Sequence, residues 1–156
     1  ADHDGVIDAV DPALKVFGKV FFIGERSGAG QTMKIVNTMV LFQNVVALSE
    51  ALALILHVGL DPQAAFNVLA KGSADSFALR NHGMKAMLKG DYPERAFSSE
   101  YALKDIRYAL RLGEEAGLYL HGADNAKETI KKAIRAGHGK EYFPALAKII
   151  VAKKKS

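Results

Sequence analysis

Residues 28–58 read "GAGQTMKIVNTMVLFQNVVALSEALALILHV", the longest apolar stretch of a 156-residue chain. The stretch predicts one long helix from about Gly30 to Val58, with Gly59 placed to end it in a left-handed cap. Gln43, Asn44, Glu50 and His57 interrupt the run, and a membrane-spanning helix would carry few or no such groups. The helix is therefore expected to be buried within protein on most sides, with Glu50 a structural carboxylate satisfied by a partner. Lys34 raises a separate question, because it sits one turn into this helix. It shares a face with Gln31, Asn37 and Thr38, since residues three and four apart are helix neighbours. Two readings stand side by side. One is a solvated helix end. The other is a cationic group with an amide beside it at the mouth of a cleft. There a lysine partly withdrawn from water gives up its proton more readily and can serve as acid or base near neutral pH.

Working outward, Asp61 and Pro62 supply an N-cap and a first-turn proline for a helix to about Lys71. "FALRNHGMKAMLKG" (77–90) reads as a helix ended by Gly90. "SSEYALKDIRYALRLGEEAG" (98–117) places Leu103, Ile106 and Leu110 at helical spacing. Tyr101 and Tyr108, on one face of it, read as core or interface. "ADNAKETIKKAIRAGHG" (123–139) is amphipathic and begins near Asp124, and "KEYFPALAKIIVAKKK" (140–155) is a last helix with Pro144 in its first turn. Upstream, "DPALKVFG" (11–18) predicts a short helix with Pro12 near its start and Gly18 at its end. "KVFFIG" (19–24), aromatic, β-branched and bounded by glycines, predicts a strand. One strand cannot form a sheet. Its neighbours are expected outside this chain, whose start lacks an initiator Met and so reads as the torn edge of a larger protein.

Composition narrows the function classes. The chain is 49% hydrophobic and 24% charged, as soluble globular proteins are. It has no cysteine, which excludes disulfides and thiolate zinc sites and fits a reducing compartment: the cytoplasm, or a mitochondrial matrix in a eukaryote. The net charge of +4 comes partly from the tail "KKKS", and no basic stripe with interleaved aromatics suggests nucleic acid. His57, His82, His121 and His138 lack metal-ligand spacing. The acidic start has no apolar signal region. A strand, a glycine turn and a helix invite a nucleotide-binding reading, but Met33 stands where the third fingerprint glycine would be, and Ile35 follows Lys34 where a P-loop needs Ser or Thr. Gly28 and Gly30 then read as a flexible turn into the helix.

The pattern GxGxxxKxxN, with Lys34 and Asn37 in register, is followed by "ALSEALAL" and "HVGLD". A second block, "FSSEYALKDIRYAL", sets Phe97 seven residues before Lys104 and Asp105, with "GSADSFALRN" between the blocks. In these motifs nearly the whole chain resembles the β-hydroxyacid dehydrogenase family, the group of 3-hydroxyisobutyrate dehydrogenase and tartronate semialdehyde reductase. The resemblance implies a mainly α fold like the C-terminal domain of 6-phosphogluconate dehydrogenase. Residues 1–27 would be the tail of a Rossmann domain, 28–58 the long interdomain helix and 59–156 an all-helical C-terminal domain. It implies an NAD- or NADP-dependent oxidoreductase that oxidises a small β-hydroxy acid or reduces the matching semialdehyde. The dinucleotide would be held mainly by the other domain, and a dimer or tetramer would form through the helical one. Lys34 matches the catalytic lysine. Asn37 and Thr38 match the substrate-side amides, with Thr38 replacing the usual second Asn, and Phe97 would wall the substrate pocket. Lys104 would close over the cofactor, with Gly28 and Gly30 also near it, and Asp105 would position that helix. His121 and Gly122 stand where the family carries a proline, and "EYFPA" (141–145) replaces a late D-x-S-A stretch. The rival reading is a non-catalytic helical dimerisation module, with the apolar helix as its interface and Lys34 an ordinary surface group.

Overall fold

The structure is a computed structural model that describes residues 3–152. Among these residues it contains helices and no strand, and the closest approach to sheet is an isolated bridge between Ser98 and Tyr142. Helix α1 spans His3–Lys15. Helix α2, Ala29–His57, is the predicted long helix, and it begins from Gly28 in the left-handed conformation (φ 86°). There, freedom from a Cβ is what the turn requires. Helix α3 (Pro62–Leu69) is capped by Asp61, whose Oδ2 accepts the Ala64 N–H at 2.8 Å. A π-helical segment follows at Leu79–Met87. Helix α4 (Ser99–Glu115) starts at Ser98, whose Oγ accepts the Tyr101 N–H at 3.2 Å. Helix α5 (His121–Ala133) runs into a π turn at Ile134–His138, and a 3₁₀ turn (Phe143–Leu146) leads into α6 (Ala147–Val151).

The core forms where α4, α5 and α6 pack around the middle of α2. Phe42, Val45 and Leu52 of α2 meet Phe66 of α3, Leu79, Ile106 of α4, Ile130 of α5, Phe143 and Leu146. Burial of each of these large side chains stabilises the fold by about 1.5–3 kcal/mol. Ser49, fully buried among them, donates to the Val45 carbonyl at 2.7 Å, so its hydroxyl is satisfied inside the helix.

Several expectations are corrected. Residues 19–24 form no strand: no neighbouring chain segment among the described residues offers them a ladder, and Phe21, Phe22 and Ile23 are exposed. Helix α1 begins well before Pro12, which lies inside it. The proline ring fixes φ near the helical value and α1 ends three residues later. By length and apolar composition α2 passes for a membrane span, yet it is also the helix around which the bundle packs. Within this chain it is covered on one side only, since Val40, Leu54 and Val58 remain exposed. Glu50 is likewise exposed rather than a buried carboxylate. Tyr101 and Tyr108 are 58% and 49% exposed, not core. The last helix is a 3₁₀ turn before it becomes α6, and the basic end at 153–156 lies outside the described residues.

Candidate active site

Helices α2 and α4 pack side by side, and between the start of one and the middle of the other lies a cleft of about 290 Å³. From α2 it is lined by Gln31, Lys34, Ile35 and Thr38, at i, i+3, i+4 and i+7. From α4 it is lined by Lys104, Asp105 and Tyr108. Lys34 and Lys104 are 70 positions apart in sequence and share this one cleft because their helices pack together. Ile35 is its one aliphatic wall.

Lys34 is exposed in this chain. Whatever withdraws it from water must therefore be a ligand or protein beyond these helices. Lys104 is half-exposed, with Nζ 3.6 Å from Asp105 Oδ1 and 4.1 Å from the centre of the Tyr101 ring. The Thr38 hydroxyl donates to the Lys34 carbonyl at 2.9 Å. A hydroxyl has one proton to give, so Thr38 faces a ligand as an acceptor or a methyl group, not as the donor that an Asn would supply.

The other predicted residues fall outside the cleft. Asn37 is exposed one position round the helix from Thr38. Phe97 does not line this cleft. Its ring lies 6.2 Å from Phe42 and 5.8 Å from Phe143 on one side, and 5.8 Å from Tyr101 on the other. Gly28 caps α2, and Gly30 lies in its first turn with open space where a Cβ would be. Sequence reasoning missed Tyr108 as a residue of the cleft, and missed Tyr101 as the neighbour of Lys104. Their helical spacing read as core or interface, and only the packing of α4 on α2 places Tyr108 in the recess with the two lysines.

A larger depression of about 730 Å³ lies on the neighbouring side of α2, walled by Met33, Val36, Met39, Leu112 and Leu118. Its walls are mostly aliphatic. The smaller cleft carries the chemistry: two ammonium groups, an amide, a phenol and a carboxylate. Two cations in one recess raise the local concentration of anions such as small carboxylic acids. They also suit a phosphate-bearing dinucleotide. Among the described residues no group of three or more His, Asp or Glu side chains is placed to hold a metal ion.

Comparison with known proteins agrees on one family. The chain is 31% identical over 147 residues to 2-(hydroxymethyl)glutarate dehydrogenase of Eubacterium barkeri, covering 94% of this chain and 48% of that protein. It is 31% identical over 141 residues to L-threonate dehydrogenase of Cupriavidus necator, covering 90% and 47%. The chain thus spans about half the length of the curated relatives it matches. The crystal structure of 3-hydroxyisobutyrate dehydrogenase from Salmonella typhimurium superposes with a TM-score of 0.84 at 26% identity, over 92% of this chain and 50% of that one. Residues 28–150, from the cap of α2 into α6, match the family described as NAD-binding of NADP-dependent 3-hydroxyisobutyrate dehydrogenase, and the chain belongs to that family.

Proposed function

We propose that this chain is the helical half of an NAD(P)-dependent dehydrogenase that oxidises a small β-hydroxy acid, 3-hydroxyisobutyrate or a close analogue, or reduces the matching semialdehyde. In this reading the chain has the fold of the C-terminal domain of 6-phosphogluconate dehydrogenase, and residues 1–27 are the end of a Rossmann domain that holds most of the dinucleotide. The observation that carries the reading is the cleft in which Lys34 of α2 faces the same recess as Lys104 of α4.

The chemistry supplied by bound NAD(P) is acceptance or return of a hydride at the carbon bearing the hydroxyl. The chain's own residues handle the proton and the charge. In oxidation the Lys34 amine takes the hydroxyl proton as the C–H hydride leaves; in reduction the Lys34 ammonium returns a proton to the new alkoxide. Lys104 draws anionic ligands to the mouth, while Gln31 and Tyr108 offer hydrogen bonds that orient the acid. Asn37, just outside the recess, orients Lys34 or the acid only once ligand and partner domain close over α2.

The test is steady-state kinetics on the full-length enzyme. A positioned acid–base group contributes roughly 10²–10⁴-fold, or about 3–5 kcal/mol of transition-state stabilisation. Lys34→Ala should lower kcat by that factor and leave the thermal melt unchanged, because Lys34 is exposed. Lys34→Arg should not rescue it, since a guanidinium keeps its proton at any working pH. A Lys34→Ala enzyme within about threefold of the parent kcat would return the chain to the dimerisation-module reading.

A further inference from the structure

Lys104 ends in a long, half-exposed side chain, and its usefulness at the cleft depends on where the ammonium is held. Asp105 does not fix it. The carboxylate stands 3.6 Å from Nζ, beyond a good hydrogen bond, and consecutive residues do not share a helix face. Tyr101, three residues earlier, does share that face. Its ring centre lies 4.1 Å from Nζ, well inside the range in which a cation is attracted to an aromatic face. The tyrosine ring has its own footing. It packs on Phe97 at 5.8 Å between centres, and Phe97 in turn packs on Phe143 at 5.8 Å and Phe42 at 6.2 Å. Phe42 and Phe143 belong to the closed core, so a ladder of rings runs from the core to the surface and ends under the ammonium group.

We propose that Tyr101 is a positioning residue that holds the Lys104 ammonium at the mouth of the cleft shared with Lys34, with Phe97 as its support. The inference rests on the dehydrogenase reading of that cleft. A ring face suits this task better than a carboxylate would. It attracts the cation without neutralising it and leaves N–H donors on the side away from the ring free for an anionic ligand. It also explains why Phe97 falls in the same block as Lys104 while contributing nothing to the cleft wall.

The experiment compares Tyr101→Leu, Tyr101→Phe and Lys104→Ala, alone and as the Tyr101→Leu/Lys104→Ala pair, in the full-length enzyme. The readouts are NADPH affinity by fluorescence titration, KM for 3-hydroxyisobutyrate, and the side-chain resonances of ¹³C-labelled Lys104. An ammonium held over a ring at an exposed site should show a ring-current upfield shift. Tyr101→Leu should abolish that shift and weaken NADPH or substrate binding by roughly two- to fivefold. Tyr101→Phe should keep both, and in the Lys104→Ala background Tyr101→Leu should cost nothing further. Equal loss from Tyr101→Leu with and without Lys104, or an unmoved Lys104 resonance, overturns the proposal. Lys34→Ala run alongside separates the two levels: an unimpaired kcat removes the dehydrogenase reading and this inference with it, whereas a collapsed kcat with additive Tyr101 and Lys104 effects removes only the role of Tyr101.

Discussion

Thr38 has already given its one proton away, to the carbonyl of Lys34. The family pattern would have an Asn there, with two donors and a longer reach. Threonine instead bonds the helix it stands on, as hydroxyl side chains in helices commonly do. Thr38→Val, which keeps the shape and removes the hydroxyl, should therefore change kcat/KM by no more than about twofold. A tenfold fall in steady-state assays would mean that the hydroxyl's lone pairs hold the substrate. His82 carries a different consequence. Its ring is buried among Phe77, Tyr142 and Phe143; Nδ1 lies 2.6 Å from the Tyr142 hydroxyl, and Nε2 has no partner. Burial pulls its proton affinity below the ordinary histidine value of 6.5. Above that pH the ring is neutral whether the chain is folded or unfolded, and the contribution to stability is fully present. Below it, the unfolded chain binds a proton that the folded chain still refuses, so stability falls with pH. The Tm should drop between about pH 7 and pH 5.5, a range above the carboxylates held low by basic partners, Asp124 and Glu128 by lysines and Glu141 by Lys148 and His138. His82→Gln should flatten that drop, and an unchanged slope would mean another group is responsible.

Helix α4 presents Lys104, Asp105 and Tyr108 to the cleft, and its entry angle is set by Ser98. The Ser98 Oγ caps the Tyr101 N–H, and the backbone around it is tied to the last loop through Ser99 N–H to the Glu141 carbonyl at 3.0 Å. Ser98→Ala should cost about 1 kcal/mol, read as a lower midpoint in denaturant at unchanged slope. In the π-helical segment, the Leu88 N–H reaches back five residues to the Gly83 carbonyl at 3.0 Å, and a Cβ built on Gly83 would stand 2.9 Å from a ring carbon of the fully buried Phe66. Alanine gains about 1 kcal/mol in helix preference, but overpacking a closed core costs about 1–3 kcal/mol. Gly83→Ala should therefore be a net loss, and an unchanged melt would show that Phe66 can retreat. These elements also mark what can be read from sequence. The bounds of α2 were legible within a residue because the apolar run and Gly59 say the same thing. The two motifs that carry Lys34 and Lys104 meet at one cleft. The segment at 19–24 forms no strand here because a strand exists only through a partner, and the sequence itself placed that partner outside this chain. The π segment was read as plain helix, since side-chain spacing does not register one extra residue per turn. The placement of Tyr108 in the cleft was out of reach because it depends on how two distant helices pack.

At the scale of the whole molecule, the bundle leaves an apolar stripe uncovered along its central helix. Val36, Val40, Ala47, Leu54 and Val58 follow one another at intervals of four and seven, which keeps them on one side of α2. All are exposed, Leu54 by 63% and Val58 by 56%, while the side facing α4, α5 and α6 holds Phe42, Val45 and Leu52. Scattered apolar side chains on a surface are ordinary, but here they recur along a 29-residue helix, with Gln43 and the exposed Glu50 at the turns between them. A second copy of the chain could cover it by laying the same stripe against its own, because a two-fold interface is complementary to itself. We therefore expect the protein to self-associate through α2. Light scattering at about 50 μM, where mass action favours association, should give a dimer or larger species. Val40→Glu and Leu54→Glu together should shift it toward monomer by at least about tenfold in dissociation constant, since each would place a charge against apolar side chains. The far-UV spectrum should stay the same, because neither residue belongs to the chain's own core. A parent protein that runs as a clean monomer at that concentration would mean that something other than a second copy covers the stripe.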